Sequence, residues 1–290
     1  MNPQLAPSEL AIRVQQLLDN KTKPRGSLGR IEQLALELAL ALRTPAPRLL
    51  LPQMVVFAAD HGIAAHGVSA YPAEVTWQMV ENFLAGGAAI AVLARQHGLA
   101  LTVVDCGVRH DFAPRAGLLI AKAAYGSADS TLRAAMSPAQ RDEAMAHGAR
   151  IVRALPGNAL LLGEMGIGNT SSAALLMARL TGLAIEDCAG RGTGLGDTAF
   201  EQKLAVLRRA LQRHTGPASV LDTLAEVGGL EIASMAGAVL EAARQGRVIV
   251  VDGFICTAAV AVAMAMEPAV RSQCVFAHCS AESGHARWLA

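Results

Sequence analysis

Five short apolar runs, each ending in a polar residue beside small ones, constrain this chain more than any other feature. They are MVVFAADHG (Met54 to Gly62), LTVVDCG (Leu101 to Gly107), ALLLGEMG (Ala159 to Gly166), VIVVDGF (Val248 to Phe254) and CVFAHCS (Cys274 to Ser280). Consecutive apolar residues rich in Val and Leu, without polar alternation, suit strands covered on both faces, as in a parallel sheet. Helical patterns lie between them. Pro72 to Gln96 reads as a helix broken or kinked at Gly86-Gly87, and Pro138 to Leu155 starts with a Ser137 cap and a proline at its first position. Asn169 to Leu180, Asp197 to His214 and Leu230 to Arg244 complete the set. Strands alternating with helices of this length predict an α/β fold, a mostly parallel sheet with helices on both faces.

Open α/β sheets bind ligands beyond the carboxyl ends of their strands. Asp60, Asp105, Glu164, Asp252 and His278 all fall there. Any one of them could cap the next helix or satisfy a loop amide. Together they predict a shared cleft, because burying several unpaired acids is costly without a ligand or a cationic partner.

Residues 1–50 read differently. The amphipathic helical patterns Pro7 to Leu18 and Gly29 to Arg43 are joined by DNKTKPRGSLGR and followed by the proline-rich PAPRLLLP. They are expected to form a helical arm belonging to a small domain, with residues 51–290 as the α/β domain. Lys21, Lys23, Arg25 and Arg30 in the joining loop form either a solvated basic turn or a reach toward an anionic ligand.

Charge and composition narrow the partner. Lys plus Arg number 25 against 24 Asp plus Glu, and aromatics make up 3%, so neither a basic field nor stacking platforms point to nucleic acid. A small molecule is the expected partner. The 5 cysteines show no CxxC pair and read as buried thiols in a reducing cytosol. MNPQLAPSEL lacks a basic region followed by an apolar one, and Ile255 to Met266 is too short to span a bilayer. A cytoplasmic chain with no membrane partner is therefore expected. The mean hydropathy of +0.35 is accounted for by Ala and Leu in buried helices.

Two glycine-rich turns carry chemical interest. In GEMGIGNTSSAAL (Gly163 to Leu175) a strand, a turn and a helix start give free amides for an anion around Gly166, Gly168, Asn169 and Thr170. The alternative is a tight turn whose glycines permit close packing. No lysine precedes Thr170 and the GxGxxG fingerprint is absent, which disfavours a nucleoside triphosphatase or a dinucleotide dehydrogenase. CAGRGTGLGD (Cys188 to Asp197) opens a second helix, with Gly192 and Gly194 letting backbone approach a ligand and Lys203 available to neutralise phosphate. An exposed helix lysine is the plainer reading. His61 and His66 have no third ligand placed by sequence, so no metal is expected. Tyr71, Trp77, Met79 and Phe83 could line a flat apolar pocket with Gln78 as a polar contact, or simply be core.

The ordered set KTKPRGSLGRIE, AADHG with FLAGGAAI, VVDCGV, GEMGIGNTSSAA, GRGTGLGD, EVGGLEIASMAGA, VDGFICTAAVA and HCSAESGH resembles the nicotinate-nucleotide–dimethylbenzimidazole phosphoribosyltransferase family over nearly the whole chain. The resemblance implies transfer of phosphoribose from nicotinate mononucleotide to dimethylbenzimidazole in cobalamin lower-ligand synthesis. It also implies a Rossmann-like large domain, a small helical domain, a homodimer and no cofactor. Glu164 with Lys203 resembles the family's supporting acid and lysine near the reacting centre. The glycine-rich turns and Ser280 are implied on the nucleotide phosphate, Gln78 on the benzimidazole, and Asp60 among the substrate-binding residues. The family's Gly-Glu-Gly loop, whose glutamate is taken as the catalytic base, has no counterpart before Ala290, so weak or absent turnover is expected of this chain. The alternative is a non-catalytic nucleotide- or base-binding protein on the same scaffold.

Overall fold

All five apolar runs form strands, and every neighbouring pair is parallel. The structure, a computed structural model, describes residues 6–192, 194–213, 216 and 218–290. Among these the strands are β1 (Gln53–Ala59), β2 (Ala100–Gly107), β3 (Leu118–Ile120), β4 (Ala159–Met165), β5 (Val248–Val251) and β6 (Cys274–Phe276). They form one sheet in the order β3-β2-β1-β4-β5-β6. β1 lies between β2 and β4 and is buried at every residue, which is why its sequence shows no polar alternation.

The helices are α1 (Pro7–Asp19), α2 (Arg30–Ala41), α3 (Val75–Ala85), α4 (Ala89–Gln96), α5 (Pro138–Ala154), α6 (Asn169–Thr181), α7 (Ile185–Cys188), α8 (Asp197–Arg213), α9 (Val220–Val227), α10 (Leu230–Arg244), α11 (Phe254–Met266) and α12 (Ser283–Leu289). His214, expected to end α8, lies outside the described residues. The cap expected on α5 is a reciprocal one: Gln140 N–H donates to Ser137 Oγ at 3.2 Å and Ser137 N–H to Gln140 Oε1 at 2.9 Å. β3, α7, α9, α11 and α12 were not anticipated; α11 read only as an apolar run, and it is a helix buried in the core.

Alternation along the strands assigns the layers. Val55, Phe57, Leu160, Leu162, Ile249 and Val251 face a core completed by α5, α6, α10 and α11. Val56, Ala58 and Val103 face Val80 and Phe83 of α3. On this second side, Ala159, Val248 and Val275 meet Leu34, Leu38 and Ala41 of α2, while Leu10, Val14 and Leu18 of α1 pack on Ala39. The N-terminal arm is thus seated on the sheet through α2. Its basic residues are partly satisfied within the arm, with Lys23 paired to Glu32 at 2.8 Å and Arg30 to Glu37 at 2.6 Å.

The stretch Val75–Gln96, at 22 residues, is long and apolar enough by length and composition to cross a bilayer, and it is longer than Ile255 to Met266. It does not form a single helix. The chain breaks at Gly86, whose φ of +80° ends α3, and restarts at α4. The cysteines also divide: all five are free, four are buried, and Cys279 is exposed rather than buried.

Candidate active site

Connections leave β1 toward one edge of the sheet and β4 toward the other, so a crevice opens where their carboxyl ends diverge. Glu164 stands at the end of β4. It continues the register of Leu160 and Leu162 and therefore belongs to the α10–α11 side. Asn169, the first residue of α6, donates its Nδ2 proton to Glu164 Oε2. Burial, then the charge of Glu231, push the Glu164 carboxyl up from 4.5 to about 7, against the stabilising bond from Asn169. Asn169, expected on substrate, holds this acid through its amide.

Thr170, the next residue, faces a cation. Lys203 of α8 is 0% exposed, so the reading of it as a surface lysine does not hold. Its Nζ donates to Thr170 Oγ1 at 3.1 Å and to the Gly190 carbonyl at 2.9 Å. An ammonium has three protons, which leaves one for a ligand. Burial lowers the Lys203 pKa from 10.5 to about 8, opposed by Glu282. Gly192, at φ +55°, keeps the approach open, since a Cβ there would lie 3.3 Å from Thr170 Oγ1 and 3.6 Å from Lys203 Nζ. Gly194, at φ +101°, borders open space.

Ser280 is held by a histidine that sequence reading passed over. His285 is 0% exposed, and its Nδ1 accepts from Ser280 N–H at 2.8 Å and lies 2.9 Å from Ser280 Oγ. Accepting a backbone N–H requires an unprotonated Nδ1, so Nε2 carries the proton and donates to Thr257 Oγ1 at 3.0 Å. Burial, then His278, lower the His285 pKa, consistent with this neutral form. Ser280 also approaches Gly253, next to Asp252. Asp252 itself is exposed, 3.6 Å from His278.

Against the α3 side of β1, β4 and β5 lies a hollow of about 510 Å³, lined by Val56, Met79, Phe83 and Val250 among others. Glu164 and Asp252 form its rim at the strand ends. Neither Lys203 nor Ser280 lines it. Gln78 is exposed and outside the lining, and Trp77 turns away to stack on His110 with centroids 4.8 Å apart. Tyr71 is 53% exposed.

The remaining strand-end acids have partners within the fold. Asp60 is 4% exposed and accepts Arg109 N–H at 2.7 Å, tying β1 to the loop after β2. Asp105 accepts Gly107 N–H at 3.1 Å and Val108 N–H at 2.8 Å and pairs with Lys122. His66 pairs with Asp129 at 2.6 Å, and His61 with Glu231 at 2.7 Å. Among the described residues no group of three or more His, Cys, Asp or Glu is arranged to hold a metal.

A parallel sheet of this order, with an acid and a lysine at its switch point, matches a known class. A family model described as "Phosphoribosyltransferase" matches residues 4–290. The nicotinate-nucleotide–dimethylbenzimidazole phosphoribosyltransferase of Variovorax paradoxus is 61% identical over 97% of this chain and 80% of its own length. That of Cupriavidus necator is 54% identical, over 98% and 83%. The crystal structure of CobT from Thermus thermophilus superposes with a TM-score of 0.93 at 41% identity, covering 97% of this chain and 85% of that one. The chain belongs to the nicotinate-nucleotide–dimethylbenzimidazole phosphoribosyltransferase family.

Proposed function

We propose that the chain transfers the phosphoribosyl group of nicotinate mononucleotide to dimethylbenzimidazole, giving α-ribazole 5′-phosphate and nicotinate for the lower ligand of cobalamin. The observation that carries this reading is a shared helix start. Asn169 and Thr170 are adjacent at the N-terminus of α6, and they hold Glu164 on one side and Lys203 on the other. A desolvated acid and a buried ammonium therefore flank one turn. The nucleotide phosphate suits the Lys203 side, with Gly192, Gly194, Ser280 and the turn of Gly166 and Gly168 around it. The flat base suits the apolar wall of Met79 and Phe83.

In the transfer, a ring-nitrogen lone pair of dimethylbenzimidazole forms a bond to the anomeric carbon of the ribose. The bond from that carbon to the pyridinium nitrogen breaks, and its electron pair stays on nicotinate. The leaving ring becomes neutral and needs no general acid, whereas the attacking base loses the proton of its other nitrogen to solvent water. Positive charge grows on the ribose in the transition state, and the Glu164 carboxylate stabilises it.

We further read the chain as a cytoplasmic homodimer. Its free thiols support the first, and Leu50 and Leu51, 59% and 67% exposed ahead of β1, support burial against a second copy. Analytical ultracentrifugation tests the assembly. The activity is tested by incubating the chain with both compounds and separating the products by chromatography. Formation of α-ribazole 5′-phosphate with equimolar nicotinate, even at the weak turnover expected without a counterpart of the family's catalytic glutamate, supports the reading. Binding of both compounds without product points instead to a non-catalytic binding protein.

A further inference from the structure

His61 follows β1 directly and is enclosed on every side. Its side chain is 1% exposed and that of Glu231, in the first turn of α10, is 0% exposed. His61 Nε2 lies 2.7 Å from Glu231 Oε1, and Nδ1 lies 3.0 Å from Ser172 Oγ on α6. Glu231 Oε2 is buried without a partner. Two glycines clear the room for this pair. A Cβ on Gly229 would lie 2.3 Å from His61 Cε1 and 2.6 Å from Glu231 Oε2. A Cβ on Gly166 would lie 3.2 Å from both His61 Cδ2 and Nε2. The imidazole therefore abuts the turn that leads from Glu164 into α6. ADHG, GEMGIGNTSS and EVGGLE, far apart in the chain, supply the three sides of one buried network.

We propose that His61 and Glu231 form a charged positioning pair for Glu164: they brace its turn from behind and set the field in which its carboxyl ionises. This rests on the reading of Glu164 as the carboxylate beside the ribose. A mutually charged pair fits both ring nitrogens, since an imidazolium donates to Glu231 and to Ser172 at once. It also fits the charges around it. His61 is reached by Glu231 from α10, by Asp60 from its own segment and by Glu164 from β4; burial disfavours its charge, yet these acids hold its pKa above the ordinary value. Glu164 is reached by Glu231, by Asp252 after β5 and by His61, with the Cys256 thiol of α11 also within its field. The repulsion from Glu231 outweighs the attraction of His61. The pair thus makes Glu164 more reluctant to ionise than a neutral wall of the same shape.

The test is a titration followed by NMR, with labelled glutamate carboxyl carbons and histidine ring nitrogens in the 290-residue chain. In the unmodified protein the His61 ring is expected to stay an imidazolium from about pH 6 to 8, where ordinary histidines lose their proton. Its Nδ1 signal should inflect where Glu164 titrates. In Glu231→Gln, which keeps an acceptor for Nε2, the proton affinity of Glu164 should fall severalfold, because the repulsion removed outweighs the attraction lost with the His61 charge. A neutral His61, or a Glu164 titration unmoved in folded Glu231→Gln, overturns the proposal. If that variant does not fold, the inflection in the unmodified protein decides alone, because a pair that serves only packing gives none. Product formation by Glu164→Gln separates the two readings: unchanged activity removes the role of Glu164 while leaving the coupled titration intact.

Discussion

Lys203 Nζ lies 3.1 Å from Thr170 Oγ1, a contact that ties α8 to the start of α6 beside the acid at the end of β4. Lys203→Met keeps the length of the side chain and removes the charge. Nicotinate mononucleotide should bind about tenfold to a hundredfold more weakly, the loss of one charge-assisted hydrogen bond. The melting temperature should change little, because the lost bonds to Thr170 and Gly190 are offset by removal of a poorly solvated buried ammonium. Calorimetric titration and thermal unfolding measure the two effects separately.

Glu164 and Lys203 also set the pH window. The Glu164 pKa is raised to about 7, so its contribution to stability is present below the ordinary 4.5 and is lost as pH rises through about 7. The Lys203 pKa is depressed to about 8, so its contribution is present above the ordinary 10.5 and is lost as pH falls through about 8. Both groups are charged together only between these two values. Product formation at low substrate should therefore rise through pH about 7 and decline through about 8. Glu164→Gln should lose the acidic limb, and a flat profile in the unmodified protein would contradict the assignment.

His285 should matter through Ser280. His285→Phe removes the acceptor for Ser280 N–H and the donor to Thr257, leaving buried polar groups unpaired at a cost of about 1–3 kcal/mol. Chemical denaturation reads that loss, and weaker nucleotide binding is expected alongside it. Protonation should act in the same direction. Because burial lowers the His285 pKa, its neutral form supports the fold above the ordinary 6.5, and that support disappears as pH falls through the lowered value.

Asp105 gives the opposite pattern. It is 0% exposed and faces Lys122, so Lys122→Met leaves a buried carboxylate uncompensated and should destabilise by about 3–5 kcal/mol. Burial already raises the Asp105 pKa against the pull of Lys122. Adding Asp105→Asn should recover part of the loss. Nucleotide affinity in the folded fraction should stay unchanged, which distinguishes this strand-end acid from Glu164.

Why two such acids look alike in sequence is a question of partners. Asp105 and Glu164 each close an apolar run, and nothing local reveals that one meets a lysine and backbone amides while the other meets Asn169 and an open rim. The strands themselves were legible because burial on both faces removes polar alternation. β3 was not, since Leu118–Ile120 is three residues long and follows an irregular approach. Glu231 was hidden for another reason: it lies 170 residues from His61, so their pairing exists only in the folded chain. His285 stood in a motif noted for Ser280, and its separation of five residues from that serine was the available signal.

The position of β1 also bears on how the molecule comes to exist. The same residues, Gln53 to Ala58, take partners from β2 early in the chain and from β4 much later. A nascent polypeptide can close one flank of this strand soon after it emerges, yet its other flank must wait for synthesis to reach Ala159. Until then an apolar edge stands unpaired, and pairing across so many residues carries the loop-closure cost that slows parallel sheets in general.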